Sequence, residues 1–282
     1  MLYQIASDKI KVTINDFGAE VVSVLVNGKE MIWQNQDGTW AGHSPVVFPY
    51  CGHVQVNYNS IQYKEHLHGF AQFSQFVVEQ NSQTKITLKL VSSEETKKYY
   101  PFDFNFYVTY SVNGDTLTIT NRVVNTSNEP IYFGLGGHES YNLDKDIQNY
   151  YVEFNKTEDL VNIASDDNGP LKKDTAFKES SNIIQLDKKY FLNGLTLILE
   201  SVESDVVTLY DNNGEKIAQT CFKGYNNFLI WTPNNKNCVC LEPWINMPDT
   251  NETKSLDIRD KKDLLKLGVG EEKSLTREIK YF

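Results

Sequence analysis

Alternation of apolar and polar side chains is the dominant pattern along the chain. Its longest run covers residues 102–112, where every second side chain is apolar: Phe102, Phe104, Phe106, Val108, Tyr110 and Val112. A period of two residues places alternate side chains on opposite faces of a strand. The run is therefore predicted to be a β-strand with one buried face.

Turn residues separate the alternating runs at short intervals. Asn27-Gly28 divides the apolar stretch between Glu20 and Trp33, and similar turns follow at residues 113–115 and 212–214. An Asn-Gly pair between two alternating runs is a strong signal for a two-residue hairpin. The chain is therefore expected to fold through successive antiparallel hairpins.

Other segments extend this pattern to the whole sequence. Further strands are expected at residues 9–14, 76–90, 116–124, 131–143, 150–154, 195–200, 205–210, 217–222, 227–231, 238–242 and 275–282. Only Asp260–Leu267 suits a short helix, and the polar stretches Ala164–Lys173 and Asn234–Asn237 are predicted to be loops. No change in composition marks a boundary. Residues 1–282 are thus predicted to form a single all-β domain, a large antiparallel β-sandwich with a concave ligand-binding face.

Charge limits the classes of partner. The 282 residues include 27 basic and 37 acidic side chains, a formal net charge of -10. Such a surface repels nucleic acids and anionic membranes, and more weakly phosphorylated metabolites. A neutral small molecule is the expected ligand.

The cellular compartment is predicted from the lack of a signal peptide pattern and of a long apolar run. The first residues lack a basic cluster followed by an apolar core, and no run of about 18 apolar residues occurs. We expect a soluble, cytoplasmic protein whose four cysteines are free thiols. Cys238 and Cys240 would share one face of a strand, where core packing is favoured over a redox or metal pair.

His138 follows a pair of glycines at the end of an apolar, aromatic run. Gly136 and Gly137 would weaken a strand unless the backbone must bend there or admit a ligand. Histidine can donate or accept a proton near neutral pH. The residue is therefore a candidate acid or base, and the alternative is a half-buried histidine at a strand end.

Glu242 ends a second apolar run, Cys238-Val-Cys-Leu-Glu242, and precedes Pro243 and Trp244. An apolar environment raises the pKa of a carboxyl group and makes it a better base. An ordinary glutamate in a surface ion pair is the alternative.

Four of the five histidines lie at positions 43, 53, 66 and 68. His66 and His68 would share one face of a strand, where they could supply two ligands to a metal ion. No third ligand stands at a recognisable spacing, and no metal is predicted. His68, next to Gly69, is expected to form a hydrogen bond with a ligand.

Several motifs, in this order and spacing, resemble the aldose 1-epimerase (galactose mutarotase) superfamily, and most closely its LacX-like branch. They are Ser44-Pro-Val-Val-Phe-Pro-Tyr-Cys-Gly52, His68-Gly-Phe-Ala71, Gly136-Gly-His138, Tyr141-Asn-Leu143, Trp231-Thr-Pro233 and Cys240-Leu-Glu-Pro-Trp244. The resemblance covers nearly the whole chain. It implies the large sandwich of galactose mutarotases, called a supersandwich, with a shallow cleft for a free sugar.

The resemblance also implies a reaction that needs no cofactor, since nothing is oxidised and no group leaves. The counterpart of His138 acts as the general acid on the ring oxygen, and that of Glu242 as the general base on the anomeric hydroxyl. His68 is expected to bind the sugar near its ring oxygen. Trp244 is expected to stack on the sugar, with support of Glu242 as its alternative role.

Two positions depart from the pattern of the family. His53 and Gln72 stand where arginines are expected, and arginine is suited to bind phosphate or several hydroxyl groups. His53 is expected to replace one of these contacts. Glu139 follows His138, but neighbouring strand residues point to opposite faces, so no contact between the two is expected.

The sequence therefore predicts a mutarotase that acts on a neutral hexose, as a monomer or a homodimer. The alternatives are a protein that binds or senses a sugar without catalysis, a hexose-6-phosphate mutarotase, and a structural role for the sandwich.

Overall fold

Antiparallel strands form almost all of the regular structure. The computed structural model describes residues 1–36, 38–163, 178–233 and 236–282. The strands within these ranges are β1 Leu2–Ala6, β2 Ile10–Asn15, β3 Val21–Val26, β4 Lys29–Glu30, β5 Asn57–Tyr58, β6 Ile61–Gln62, β7 Val77–Asn81, β8 Lys85–Val91, β9 Phe104–Asn113, β10 Thr116–Asn125, β11 Ile131–Phe133, β12 Glu139–Asn142, β13 Tyr150–Ile163, β14 Lys178–Gln185, β15 Thr196–Leu199, β16 Val206–Asp211, β17 Lys216–Cys221, β18 Asn227–Trp231, β19 Cys238–Trp244, β20 Leu265–Leu267 and β21 Glu272–Tyr281. Short 3-10 helices lie at Ala71–Phe73, Thr96–Lys98, Ile147–Asn149, Lys188–Gly194 and Ile258–Asp260.

One sheet of thirteen described strands dominates the molecule. Its order is β12-β19-β18-β15-β13-β16-β17-β21-β10-β9-β8-β7, and β14 pairs with β13. Strands β1 to β4 form a second sheet, whose buried apolar side chains join those of the large sheet in one core. The fold is a large antiparallel β-sandwich, as predicted.

Residues 104–112 of the alternating run lie in β9, whose side chains alternate between buried and partly exposed positions. Asn27 and Gly28 both have positive φ angles, 51° and 82°, and connect β3 to β4 as expected of a hairpin turn. These predictions succeeded because both patterns are local. A strand period and a two-residue turn depend on neighbouring residues alone.

Curvature of the large sheet brings distant strands together. Tyr141 of β12 and Thr220 of β17 are separated by several strands in the sheet order, yet their hydroxyl oxygens lie 3.0 Å apart. Both side chains are buried. The same curvature lets β21 reach the first residue of β12, which becomes important at the site described below.

The helix predicted for Asp260–Leu267 was wrong. A single 3-10 turn ends at Asp260, and Leu265–Leu267 pairs with β11 as β20. Asp257 begins the 3-10 turn, because its carboxylate accepts a hydrogen bond from the backbone N–H of Arg259. Pairing with β11 gives the backbone of residues 265–267 hydrogen bonds that a helix would have supplied internally.

Some strands and loops were not predicted correctly or lie outside the described residues. Strands β1, β5, β6 and β14 were not predicted, and the residues of β14 are mostly polar. The loop prediction for Ala164–Lys173 lies outside the described residues, as does part of Asn234–Asn237. His66 and His68 lie in a loop and a turn instead of on a strand. None of the helices within the described ranges has the length and hydrophobicity needed to cross a bilayer.

Candidate active site

His138 and Glu242 are opposite each other on adjacent strands. Glu139 pairs with Leu241 in the antiparallel ladder of β12 and β19, and a further bridge joins Gly136 to Trp244. His138 precedes Glu139 by one residue, so the same register places it across from Glu242. Opposite residues of an antiparallel pair project to the same face. The Nε2 atom of His138 lies 3.4 Å from Oε2 of Glu242.

The two glycines before His138 allow close packing. A Cβ atom on Gly136 would lie 2.7 Å from the ring of Trp244, and one on Gly137 would lie 2.6 Å from Oε2 of Glu139. Real Cβ contacts are longer than this. A side chain at position 136 would therefore push this segment away from β19, and one at position 137 would collide with Glu139 and Arg277. Either change would shift His138 relative to Glu242.

Burial controls the protonation of this pair. Only 6% of His138 and 2% of Glu242 is exposed. Burial lowers the pKa of His138 to about 4, and it raises the pKa of Glu242 well above its ordinary value, with a smaller contribution from the negative charge of Glu139. Burial therefore favours the uncharged form of each group, a carboxyl group that carries its proton and a neutral imidazole ring.

His68 lies beside His138 and lines the same cleft as the pair. The backbone N–H of Gly52 donates to Nδ1 of His68 over 3.0 Å. The ring is edge-on to His138, with 5.2 Å between the ring centroids. Burial lowers the pKa of His68 well below its usual value, and the nearby His138 and His53 add to this effect. In the neutral ring Nδ1 is an acceptor, so the proton is on Nε2.

Trp244 is buried at the site and contacts the segment before His138. Only 3% of the residue is exposed, and its indole N–H donates to the carbonyl oxygen of Gly137 over 3.2 Å. Its ring meets that of His68 edge-on, with 5.3 Å between centroids. These contacts fix the segment before His138 and leave little of the Trp244 ring face for stacking.

His53 and Gln72, the positions where arginines were expected, both line the same cleft as the pair. Nδ1 of His53 lies 2.7 Å from Oε1 of Glu65. The side-chain amide of Gln72 donates to the carbonyl oxygen of Leu67 over 2.9 Å. A ligand in the cleft can therefore contact either side chain. Each side chain is held in its orientation by a hydrogen bond with a neighbouring residue.

The cleft has a volume of about 610 Å³, within the usual range for sites that bind small molecules. His138, Glu242, His68 and Trp244 line it together with Trp40 and Trp231. Lysine and arginine do not occur among the described lining residues. The cleft therefore combines a buried acid–base pair with aromatic walls and without positive charge.

The chain is similar to known proteins over nearly its whole length. A family model described as aldose 1-epimerase matches residues 1–276.

The chain belongs to the aldose 1-epimerase family.

Relatives of this aldose 1-epimerase family member span its whole length. The plasmid-encoded protein LacX of Lactococcus lactis subsp. lactis is 24% identical over 286 residues, which cover 95% of each chain. The X-ray structure of a galactose mutarotase related enzyme from Lactobacillus acidophilus is 29% identical with a TM-score of 0.91, covering 100% of this chain and 97% of that one. A galactose mutarotase-like protein from Lactobacillus casei ATCC 334 is 23% identical with a TM-score of 0.88, and the match covers 100% of both chains. This similarity supports the assignment of the fold.

Trp40 is a site residue that the sequence did not reveal. Its ring stacks on that of His138, with 5.4 Å between centroids and an angle of 28°, and meets Trp231 edge-on. The ring lies across Gly42, where a Cβ atom would be 2.4 Å from it. The combination of Trp40 with Gly42, shortly before the Ser44 motif, is the only local signal for this arrangement.

Glu139 and Arg277 form a buried ion pair behind the site. Nε and Nη2 of Arg277 lie 2.9 and 2.5 Å from Oε1 of Glu139, and both residues are 2% exposed. Glu139 thus points away from His138, as strand alternation predicted. Arg277 is on β21, so the pair ties the start of β12 to a distant strand.

His66 and His68 face different neighbours, and other residues bring potential metal ligands together. His66 stacks on Tyr99 at 4.6 Å between ring centroids, while His68 faces His138. Among the described residues, donor atoms of His138, Cys240 and Glu242 lie within 4.8 Å of one another. Burial raises the pKa of both the Cys240 thiol and the Glu242 carboxyl group. A zinc ion would have to displace both protons to bind there.

Proposed function

We propose that this member of the aldose 1-epimerase family is a mutarotase, which interconverts the α and β anomers of a neutral hexose. Its family supports an isomerase that acts on a sugar, and the similar protein from Lactobacillus acidophilus is called a galactose mutarotase related enzyme. The observation that carries the proposal is the pair of His138 and Glu242, buried and 3.4 Å apart at the cleft.

The short distance between the two groups suits this reaction. Opening a pyranose ring requires a base at the anomeric hydroxyl and an acid at the ring oxygen, and both oxygens are bonded to the same carbon atom. Glu242 takes the hydroxyl proton while His138 donates a proton to the ring oxygen. The C1–O5 bond breaks, the C1=O bond forms, and rotation about C1–C2 precedes closure to the other anomer with the proton transfers reversed.

The protonation of the pair supplies the right number of protons for this cycle. A neutral imidazole with a protonated carboxyl group holds as many protons as an imidazolium with a carboxylate. Transfer of one proton from Glu242 to His138 therefore gives the reactive state without exchange with solvent. A sugar that contacts both groups stabilises the charged form, because its hydroxyl groups form hydrogen bonds with each.

Other residues are assigned to binding. The Nε2–H group of His68 donates a hydrogen bond near the ring oxygen, and Trp40 provides an aromatic face beside His138. Sugars without a phosphate fit the cleft best, since lysine and arginine are missing from its described lining and the chain carries a net charge of -10.

The test is exchange between anomers, measured by NMR magnetisation transfer on galactose and glucose. We expect the wild-type protein to accelerate exchange and Glu242→Gln to lose roughly 10²- to 10⁴-fold, the usual contribution of a general base. Glu95→Gln, an exposed change in a 3-10 region, is the matched control and should retain wild-type rates.

Two other results would redirect the proposal. Sugar binding without acceleration by the wild-type protein would favour a binding or sensing role, for which the replacement of the two arginines by His53 and Gln72 is the supporting observation. Stronger inhibition by hexose 6-phosphates than by free hexoses would favour a phosphorylated substrate.

A further inference from the structure

Large apolar side chains are exposed at the mouth of the cleft. Phe17 is 48% exposed, Phe73 54% and Leu67 42%, and all three line the cleft that contains His138 and Glu242. We refer to Phe17, Leu67 and Phe73 as the cleft mouth. A group of exposed apolar residues beside a ligand site commonly contacts a ligand or partner.

Backbone hydrogen bonds hold the two phenyl-bearing segments together. The N–H of Gly18 donates to the carbonyl oxygen of Ser74 over 2.8 Å, and the N–H of Phe76 donates to that of Asp16 over 2.9 Å. A Cβ atom on Gly18 would lie 2.7 Å from the carbonyl oxygen of Gln72, so the approach requires glycine. Phe17 and Phe73 are therefore presented by a fixed wall.

Polar groups accompany the phenyl rings. Asn15 and Gln72 are close to Phe17 and Phe73 in sequence and line the same cleft, as does His53. Amide and imidazole groups form hydrogen bonds with hydroxyl groups. Aromatic rings beside neutral hydrogen-bonding groups suit a sugar, whose rings have apolar C–H faces and a rim of hydroxyl groups.

We propose that the cleft mouth binds a second sugar ring, so that the preferred substrate is a neutral reducing disaccharide or longer oligosaccharide. This rests on the proposed function, because the reducing end must have its free anomeric carbon at His138 and Glu242. The second ring is attached through one of the other hydroxyl groups and extends along the cleft towards Phe17 and Phe73. The reaction is unchanged, and no bond between the sugars breaks.

The choice of a sugar over another occupant follows from continuity and charge. The exposed rings and the buried pair line one cleft, so a ligand that reacts at the pair can reach the mouth without leaving it. The described lining has no lysine or arginine to attract an anionic ligand. A second ring can stack on the phenyl groups while its hydroxyl groups contact Asn15 or Gln72.

The experiment compares glucose with maltose and cellobiose, which both have glucose at the reducing end. Anomer exchange is measured for the wild-type protein, for the double variant Phe17→Ala/Phe73→Ala, and for Val91→Ala, an exposed apolar change on β8. We expect kcat/KM for at least one disaccharide to exceed that for glucose by about tenfold, a fair value for two aromatic contacts. The double variant should lose this preference and keep its activity on glucose, and Val91→Ala should keep both.

A binding measurement separates this inference from the proposed function. Dissociation constants of the same three sugars are measured by NMR titration on Glu242→Gln and on Glu242→Gln with both phenylalanine changes. Tighter disaccharide binding that requires Phe17 and Phe73 would support the second-ring site even if no sugar is turned over. Equal handling of glucose and both disaccharides, or a preference that survives the double change, would overturn it.

Discussion

The floor and the mouth of the cleft are built by different means. At the floor, His138 and Glu242 face each other because the register of β12 and β19 makes them opposite residues. At the mouth, Phe17 and Phe73 come from connecting segments and are about half exposed. Hydrogen-bonded pairing of strands holds side chains in well-defined positions, whereas the sequences of connecting segments vary readily among relatives. Under the proposed function, the paired strands hold the reacting groups, and the connecting segments select the sugar.

The largest effect is expected from the removal of His138, the proposed acid at the floor. His138→Gln should reduce anomer exchange by roughly 10²- to 10⁴-fold, because the ring oxygen loses its proton donor. Adding Glu242→Gln should cost little more if the two groups act as one unit. Rates of the two single variants and the double variant test this, and fully additive losses would show that the groups act independently.

Breaking the support behind the floor should cost stability. Arg277→Met leaves the buried carboxylate of Glu139 without its partner, and we expect a loss of about 3–5 kcal/mol in the free energy of unfolding. Urea unfolding measures the loss. Glu139→Gln/Arg277→Met removes both charges and should recover much of it. If the double variant were no more stable than Arg277→Met, packing of the arginine, not its charge, would explain the loss.

Acid should weaken the folded state through His138. Its pKa is about 4 when folded and about 6.5 when unfolded, so between these values the unfolded chain binds the extra proton. Stability therefore falls as the pH decreases from 6.5 to 4. Relative to His138→Gln, the wild-type protein should lose about 2 kcal/mol more between pH 7 and pH 4.5. Parallel losses in urea unfolding of the two proteins would contradict this.

Trp40 stacks on His138 and lines the same cleft, and its removal should give the smallest effect. Trp40→Ala removes the ring stacked on His138, and we expect KM for the sugar to rise by about tenfold with a smaller change in kcat. Trp40→Phe keeps an aromatic face and should retain most of the affinity. A fall in kcat alone would assign Trp40 to the orientation of His138.

Sequence reasoning was successful where the signal was local. The alternation at residues 102–112 and the Asn27-Gly28 turn depend on neighbours, and both were confirmed. His138 and Glu242 could be singled out because each follows an apolar run, but their contact depends on a register between residues about a hundred positions apart. Strand period and turn residues carry no information on such a pairing.

The remaining misses share this cause. Arg277 has an ordinary place in an alternating strand, and only the curvature of the sheet brings it to Glu139. Trp40 contacts His138 across a similar separation. In Asp260–Leu267 a helical pattern was overridden by pairing with β11. A long-range partner can change the conformation of a short segment, and the segment itself does not reveal the partner.

The ion pair between Glu139 and Arg277 also affects the order of assembly during synthesis. Glu139 is buried beside His138, and its cation is on β21, 138 residues later in the chain. An intermediate in which β12 has docked without β21 would contain a buried, uncompensated negative charge, which is strongly unfavourable. A nascent chain should therefore complete the floor of its cleft only after β21 has emerged from the ribosome, so that the pair of His138 and Glu242 assembles after every strand that precedes β21 has been synthesised.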